Sequence, residues 1–140
     1  MGIAYRCDSN LRCTFVVWDG DVTPRQWQDR ERSLFDDPAF PPGPLVLADL
    51  STSRAPSITD EAIDEMAASW RDSVPKMGSI KMAILPDGAW DKARRFEREV
   101  DGSGIRTIVF TSLHTACVWL GLEPSIALSV LDELRAGLRR

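Results

Sequence analysis

The residues best placed to do chemistry in this chain gather between Pro44 and Glu65, in the stretch PLVLADLSTSRAPSITDEAIDE. A short apolar run ends in Asp49. Ser51, Arg54, Ser57 and Thr59 follow in a hydroxyl-rich loop, and a helix start comes next. In α/β proteins ligands and regulatory contacts collect outside the carboxyl end of a strand. Asp49 can bind a cation or a hydroxyl there, or hold its own loop by accepting backbone N–H bonds. Arg54 can pair with Asp49 or meet an anionic ligand. Thr59 reads as the N-cap of the following helix. The same position suits a phosphoryl group, because orphan amides and the helix dipole favour negative charge. Ser57 is not needed for capping and is the more open position for modification.

Catalytic machinery is not visible. His114 is the only histidine, and no nucleophile elbow, P-loop or GxGxxG accompanies it. Nothing recommends a triad of Ser57, His114 and Asp49. The three cysteines, Cys7, Cys13 and Cys117, have no CxxC spacing and do not make a zinc site with one histidine. The expectation is no enzyme, no cofactor and no metal. Cys7 and Cys13 flank a turn and could face each other as a disulfide, or be small buried hydrophobes in a reducing compartment. Cys117 falls in an apolar helical pattern and reads as core.

Composition bounds the class. The 140 residues fit one domain, with 44% hydrophobic and 27% charged residues, as in an ordinary soluble protein. The net charge of −4 argues against nucleic acid as a partner. No apolar run approaches the roughly 20 residues of a membrane helix. The start MGIAYRCDSN lacks a secretion pattern, and Arg6 stands where myristoylation favours Ser or Thr. The expected location is the cytoplasm.

The elements that must position these residues follow from pattern. Residues 3–7 and 13–17 alternate as two strands joined by a tight turn. Thr23, Pro24 and Gln26 form a capping box for a helix from Pro24 to Asp36, with Val22 stapled on Trp27. Its narrow apolar face is Trp27, Leu34 and Phe35. Leu45 to Leu50 is continuous, as in a strand covered on both faces. Ile63, Met66, Ala67, Trp70 and Val74 recur at helical spacing, and Pro75 and Gly78 end that helix. A strand over Ile80 to Leu85 follows. A third helix is marked by Ala89, Ala93, Phe96 and Val100, its outer face carrying Lys92, Arg94, Arg95 and Arg98 with an Asp91–Arg95 pair. Ile105 to Phe110 is the last strand. Ser112 caps a short helix closed by Gly121, and a final helix starts near Pro124. The order β-β-α-β-α-β-α-β-α-α predicts a mixed, mostly parallel five-stranded sheet with an N-terminal antiparallel hairpin and helices packed on it.

Four stretches carry a resemblance: VVWDGDVTPRQW at 16–27, VLADLS at 46–51, MAILPD at 82–87 and IVFTSLHTACVWLGL at 108–122. With the order of elements, they resemble the STAS-like (SpoIIAA-like) family, related to bacterial anti-sigma-factor antagonists. The resemblance covers most of residues 1–122 and leaves 123–140 as an additional C-terminal helix, packed on the domain or at a dimer interface. It implies a STAS-like α/β fold and a regulatory module whose partner is another protein, such as a kinase or an anti-sigma-type regulator. In the family a serine after the central strand is phosphorylated. The matching position falls near Ser57, but the Asp before it and the Gly after it are missing from PSITD.

Three functions stay open from sequence. One is a regulatory or interaction module switched at the loop holding Asp49, Ser51, Arg54, Ser57 and Thr59. A second is a small-molecule or lipid binder with an apolar pocket between sheet and helices. The third is a structural homodimer using Val130, Leu131, Leu134 and Leu138 of the last helix, partly exposed in the monomer. An exposed Trp119 or Trp18 would mark a binding surface, since such anchors concentrate interface energy.

Overall fold

The computed structural model describes residues 1–140. Strands β1 (Gly2–Asp8) and β2 (Cys13–Asp19) form the antiparallel hairpin. Strands β3 (Leu45–Thr52), β4 (Ile80–Pro86) and β5 (Ile105–Val109) extend the sheet in parallel, in the order β1-β2-β3-β4-β5. Consecutive parallel neighbours joined by crossovers of one hand must place every crossover helix on the same face. Accordingly α1 (Pro24–Asp36), α2 (Asp60–Met77) and α3 (Trp90–Val100) cover one face, and α4 (Leu113–Leu120) and α5 (Pro124–Leu138) cover the other. No single helix is long and apolar enough to cross a membrane.

The helix ends form as their sequences dictate. Thr23 accepts the Gln26 N–H while the Gln26 side chain accepts the Thr23 N–H, so two orphan donors are satisfied at once. Gly121 takes the left-handed conformation, φ 74°, that closes α4. The α2 helix does not stop at Pro75. It runs on to Met77, because a proline near the end of a helix forfeits only one ladder bond, and Gly78 caps it with its N–H on the Val74 carbonyl.

The period-two alternation of the strands gives two separate cores. On β2, Val16 and Trp18 face α1–α3, while Phe15 and Val17 face α4 and α5. On β3, Val46, Ala48 and Leu50 face the first group, and Leu47 faces the second. The hairpin register sets Cys7 opposite Thr14 and Asp8 opposite Cys13. Cys7 therefore joins the first core and Cys13 the second, and all three cysteines are free. This corrects the picture of Cys7 and Cys13 facing one another, since a one-residue offset reverses the face.

The last helix is part of the fold. Ala127, Val130 and Leu131 are buried against β2 and α4, with Leu134 and Leu138 half-buried at the margin. Val130 and Leu131 are thus not partly exposed, as the interface reading required. Trp18 is likewise buried, its ring edge-on to Trp27 at 5.1 Å. Trp119 is half-buried against Phe110, with the Lys81 ammonium over its ring at 4.4 Å. The large hydrophobics left exposed on this side are Ile108, Val118, Ile126 and Leu128.

Candidate functional site

The loop after β3 does not gather its polar residues into one site. Asp49 lies on the α5 face of the sheet and is buried. One of its oxygens accepts the Ser51 N–H at 2.8 Å, and the other pairs with the Arg135 guanidinium, which also donates to Thr52 Oγ1. Arg54, the nearer cation in sequence, makes no ion pair; its stem lies over Gly88, where a Cβ would collide with it. Ser51 is exposed. Ser57 is half-buried and donates its hydroxyl to Asp21 at 2.8 Å. Thr59 accepts the Ala62 N–H and is the N-cap of α2. Asp49 therefore turns away from Ser57 and Thr59, and the loop is split between two faces of the sheet.

A second carboxylate repeats the Asp49 arrangement. Asp19, at the end of β2, receives two parallel bonds of 2.9 Å from Arg139. That guanidinium holds the Asp19 carboxyl down at about 2. Arg135 in the last turn of α5 and Arg139 at its C-cap are four residues apart, so one helix end ties down the carboxyl ends of two adjacent strands. Asp19 is met by the two-donor fork that a guanidinium satisfies best, whereas Arg135 gives Asp49 one N–H and spends its other donors on Thr52 and Asp132.

The feature with chemistry left over lies on the opposite face. Between the sheet and α1–α3 is a cavity of about 70 Å³. Fifteen of its 17 lining residues are hydrophobic, including the rings of Trp18, Trp27, Trp70 and Phe96; the other two are Glu31 and Lys92. The volume exceeds what one water requires and is smaller than a cavity known to admit benzene.

Glu31 enters the cavity because α1 carries it there. Trp27, Glu31 and Leu34 are spaced four and three residues apart, so they share one helix stripe. Glu31 Oε1 accepts the Trp27 indole N–H at 3.0 Å. Its other oxygen, Oε2, is sealed from water and has no partner. Burial pushes the carboxyl up to about 7, against the opposing pull of the Trp27 hydrogen bond. Two other side-chain oxygens, those of Thr14 and Thr107, are also buried without a partner, but Glu31 alone of the three can carry charge.

Lys92 enters from α3, on the stripe of Ala89, Ala93 and Phe96 rather than on the outer face. Its ammonium donates to the Ala55 carbonyl. Ala55 sits in the loop with φ 49°, a left-handed conformation uncommon for a residue with a Cβ. Ala55 and Ile58 close one wall of the cavity. The loop is further pinned by Ser53, whose hydroxyl donates to the Gly20 carbonyl at 2.6 Å. Arg95 does not pair with Asp91 as its spacing suggested. It turns to α2, where Asp64 accepts two bonds of 2.9 Å, and so fixes α3 against α2 beside the cavity.

Sequence reasoning missed Glu31 and Lys92 because a charged residue on a surface helix is normally read as outward. The signal was present: both sit at stripe positions, one between Trp27 and Leu34, the other between Ala89 and Phe96. No family model, curated protein or solved structure matches this chain.

Proposed function

We propose that this chain is a non-enzymatic binding module that holds a small, mostly apolar molecule between the sheet and helices α1–α3. The observation that carries this reading is Glu31 Oε2, a titratable oxygen without a partner in an otherwise apolar cavity. Leaving such a group unsatisfied costs stability, and a bound molecule with a matching donor removes that cost. An apolar recess with one or two placed polar groups is the general form of a small-molecule site. The loop at 53–58 gives the module a readout. Its Ala55 and Ile58 touch the cavity, while Arg54 and Pro56 face outward. A ligand that favours one loop arrangement shifts the surface a partner protein meets.

Three tryptophans line the cavity, so intrinsic emission tests the reading. Titration with short-chain alcohols and amines is expected to shift the emission in a saturable way. Ala93→Leu, which fills the cavity from α3, is expected to abolish the shift while leaving the chain folded. An unchanged spectrum across the series would overturn the proposal.

One observation favours a second reading, a phosphorylation switch. Ser57 Oγ already donates to the Asp21 carboxylate. A phosphoryl group there would replace that bond with repulsion between like charges and loosen the loop. The partner would be another protein, of the kinase or anti-sigma-regulator kind implied by the STAS-like resemblance. Ser57→Ala and Thr59→Ala together should then change partner binding; an unchanged interaction contradicts this reading.

A further inference from the structure

Resting on the cavity reading above, we infer that the natural ligand is a protonated amine on a compact apolar body, with its N–H directed at Glu31 Oε2. The polar geometry of the cavity points to that class. Trp27 occupies Oε1, so the open position on the carboxylate is its second oxygen. A ligand anion would face that carboxylate with like charge. A ligand with acceptors only would leave the ionised oxygen unpaired, whereas an ammonium N–H supplies both the missing hydrogen bond and the missing countercharge.

The four aromatic rings in the lining add to this. Ring faces attract organic cations, and they do so most strongly where water is excluded. Trp18 and Trp27 are set edge-on to each other, with Phe96 6.2 Å from Trp27, so three of the four rings gather at the indole that is bonded to Glu31. A quaternary ammonium would meet the rings but offer Oε2 no N–H. Primary, secondary or tertiary amines are therefore the matching class. The other charged group in the lining, Lys92, has a proton committed to the Ala55 carbonyl at the loop wall. The size of the cavity, about 70 Å³, limits the apolar body to a few carbons unless the loop at 53–58 yields.

The test uses the full chain and three probes of similar shape: isobutylamine, isobutanol and isopentane. The Trp27 indole N–H is bonded to Glu31, so its NMR resonance reports occupancy beside that carboxylate. At about pH 8, where Glu31 is ionised, isobutylamine is expected to bind about tenfold more tightly than isobutanol, the margin of a charge-assisted over a neutral hydrogen bond. Glu31→Gln keeps an acceptor for Trp27 and is expected to erase the preference. Should that variant fail to fold, the comparison of amine with alcohol on the unaltered chain still decides. Equal binding of all three probes, or tightest binding of isopentane, overturns the amine assignment and leaves the cavity reading standing. No shift with any probe overturns both.

Discussion

Glu31 is the residue on which most of the account turns, and its protonation has a definite sign. The folded chain keeps a proton up to about pH 7 that the unfolded chain releases near 4.5. Folding stability should therefore fall as pH rises between those values and level off above them. Glu31→Gln removes the titration, so the variant should gain about 1–3 kcal/mol over the parent at pH 8 and little at pH 4. Urea midpoints at the two pH values check this. Asp19 behaves in the opposite way. Its carboxyl is held at about 2, so its contribution is present above its ordinary value of 3.8 and is lost as pH falls from there toward 2. Arg139→Met should erase that acid-side component, a small one because the arginine is exposed, so that the variant's urea midpoint no longer falls between pH 4 and pH 2 on this account. Local residue roles were legible in the sequence: the Thr23–Gln26 capping box and the Thr59 cap need only neighbours within one helical turn. Glu31 and Lys92 were not, because their charge outweighed their stripe position. Asp49 was flagged, yet its partner proved to be Arg135 rather than Arg54. No local pattern connects residues that far apart in the chain.

At the scale of elements, α5 changes status most. As a segment beyond the family resemblance it could have been an interface helix. It is instead an integral layer, fixed by the apolar burial of Ala127, Val130 and Leu131 and by two guanidinium latches. Removing one latch leaves a buried carboxylate without its partner. Arg135→Ala should cost about 2–4 kcal/mol, and adding Asp49→Asn should recover part of that loss by removing the stranded charge. Chemical denaturation of the single and double variants measures both effects. Cutting the chain after Leu122 should then prevent folding rather than release a folded monomer. The loop at 53–58 is the complementary case. It is tied down outside any helix or strand ladder: Lys92 bonds its Ala55 carbonyl, its own Ser53 and Ser57 hydroxyls reach Gly20 and Asp21, and the Ile58 N–H closes a turn on Ala55. Lys92→Met leaves the Ala55 carbonyl with the Ile58 N–H alone and should speed amide exchange at Ala55, Ser57 and Ile58 while α2 and α3 stay protected. Uniform exchange rates in variant and parent would contradict the hook assigned to Lys92.

For the whole molecule, the sheet order explains why a cavity forms on one face and a latch on the other. Three crossover helices must share one face, and their Trp27, Trp70 and Phe96 rings, with Trp18 of β2, pack around a space that they do not fill. The opposite face is covered by α4 and the 15-residue α5, with Phe15, Leu47, Ala83, Ala116 and Cys117 fully buried. The alternation of strands with helices made this architecture readable in advance, because element type and order follow from periodicity. The cavity was not readable, since voids depend on how rings from distant segments meet. The most direct test of the account is native mass spectrometry of the chain purified from its own host, beside the Ala93→Leu variant. The account predicts a small non-covalent organic adduct on the parent chain that the filled variant lacks. A bare chain in both, or a covalent phosphate at Ser57 with no adduct, would contradict it.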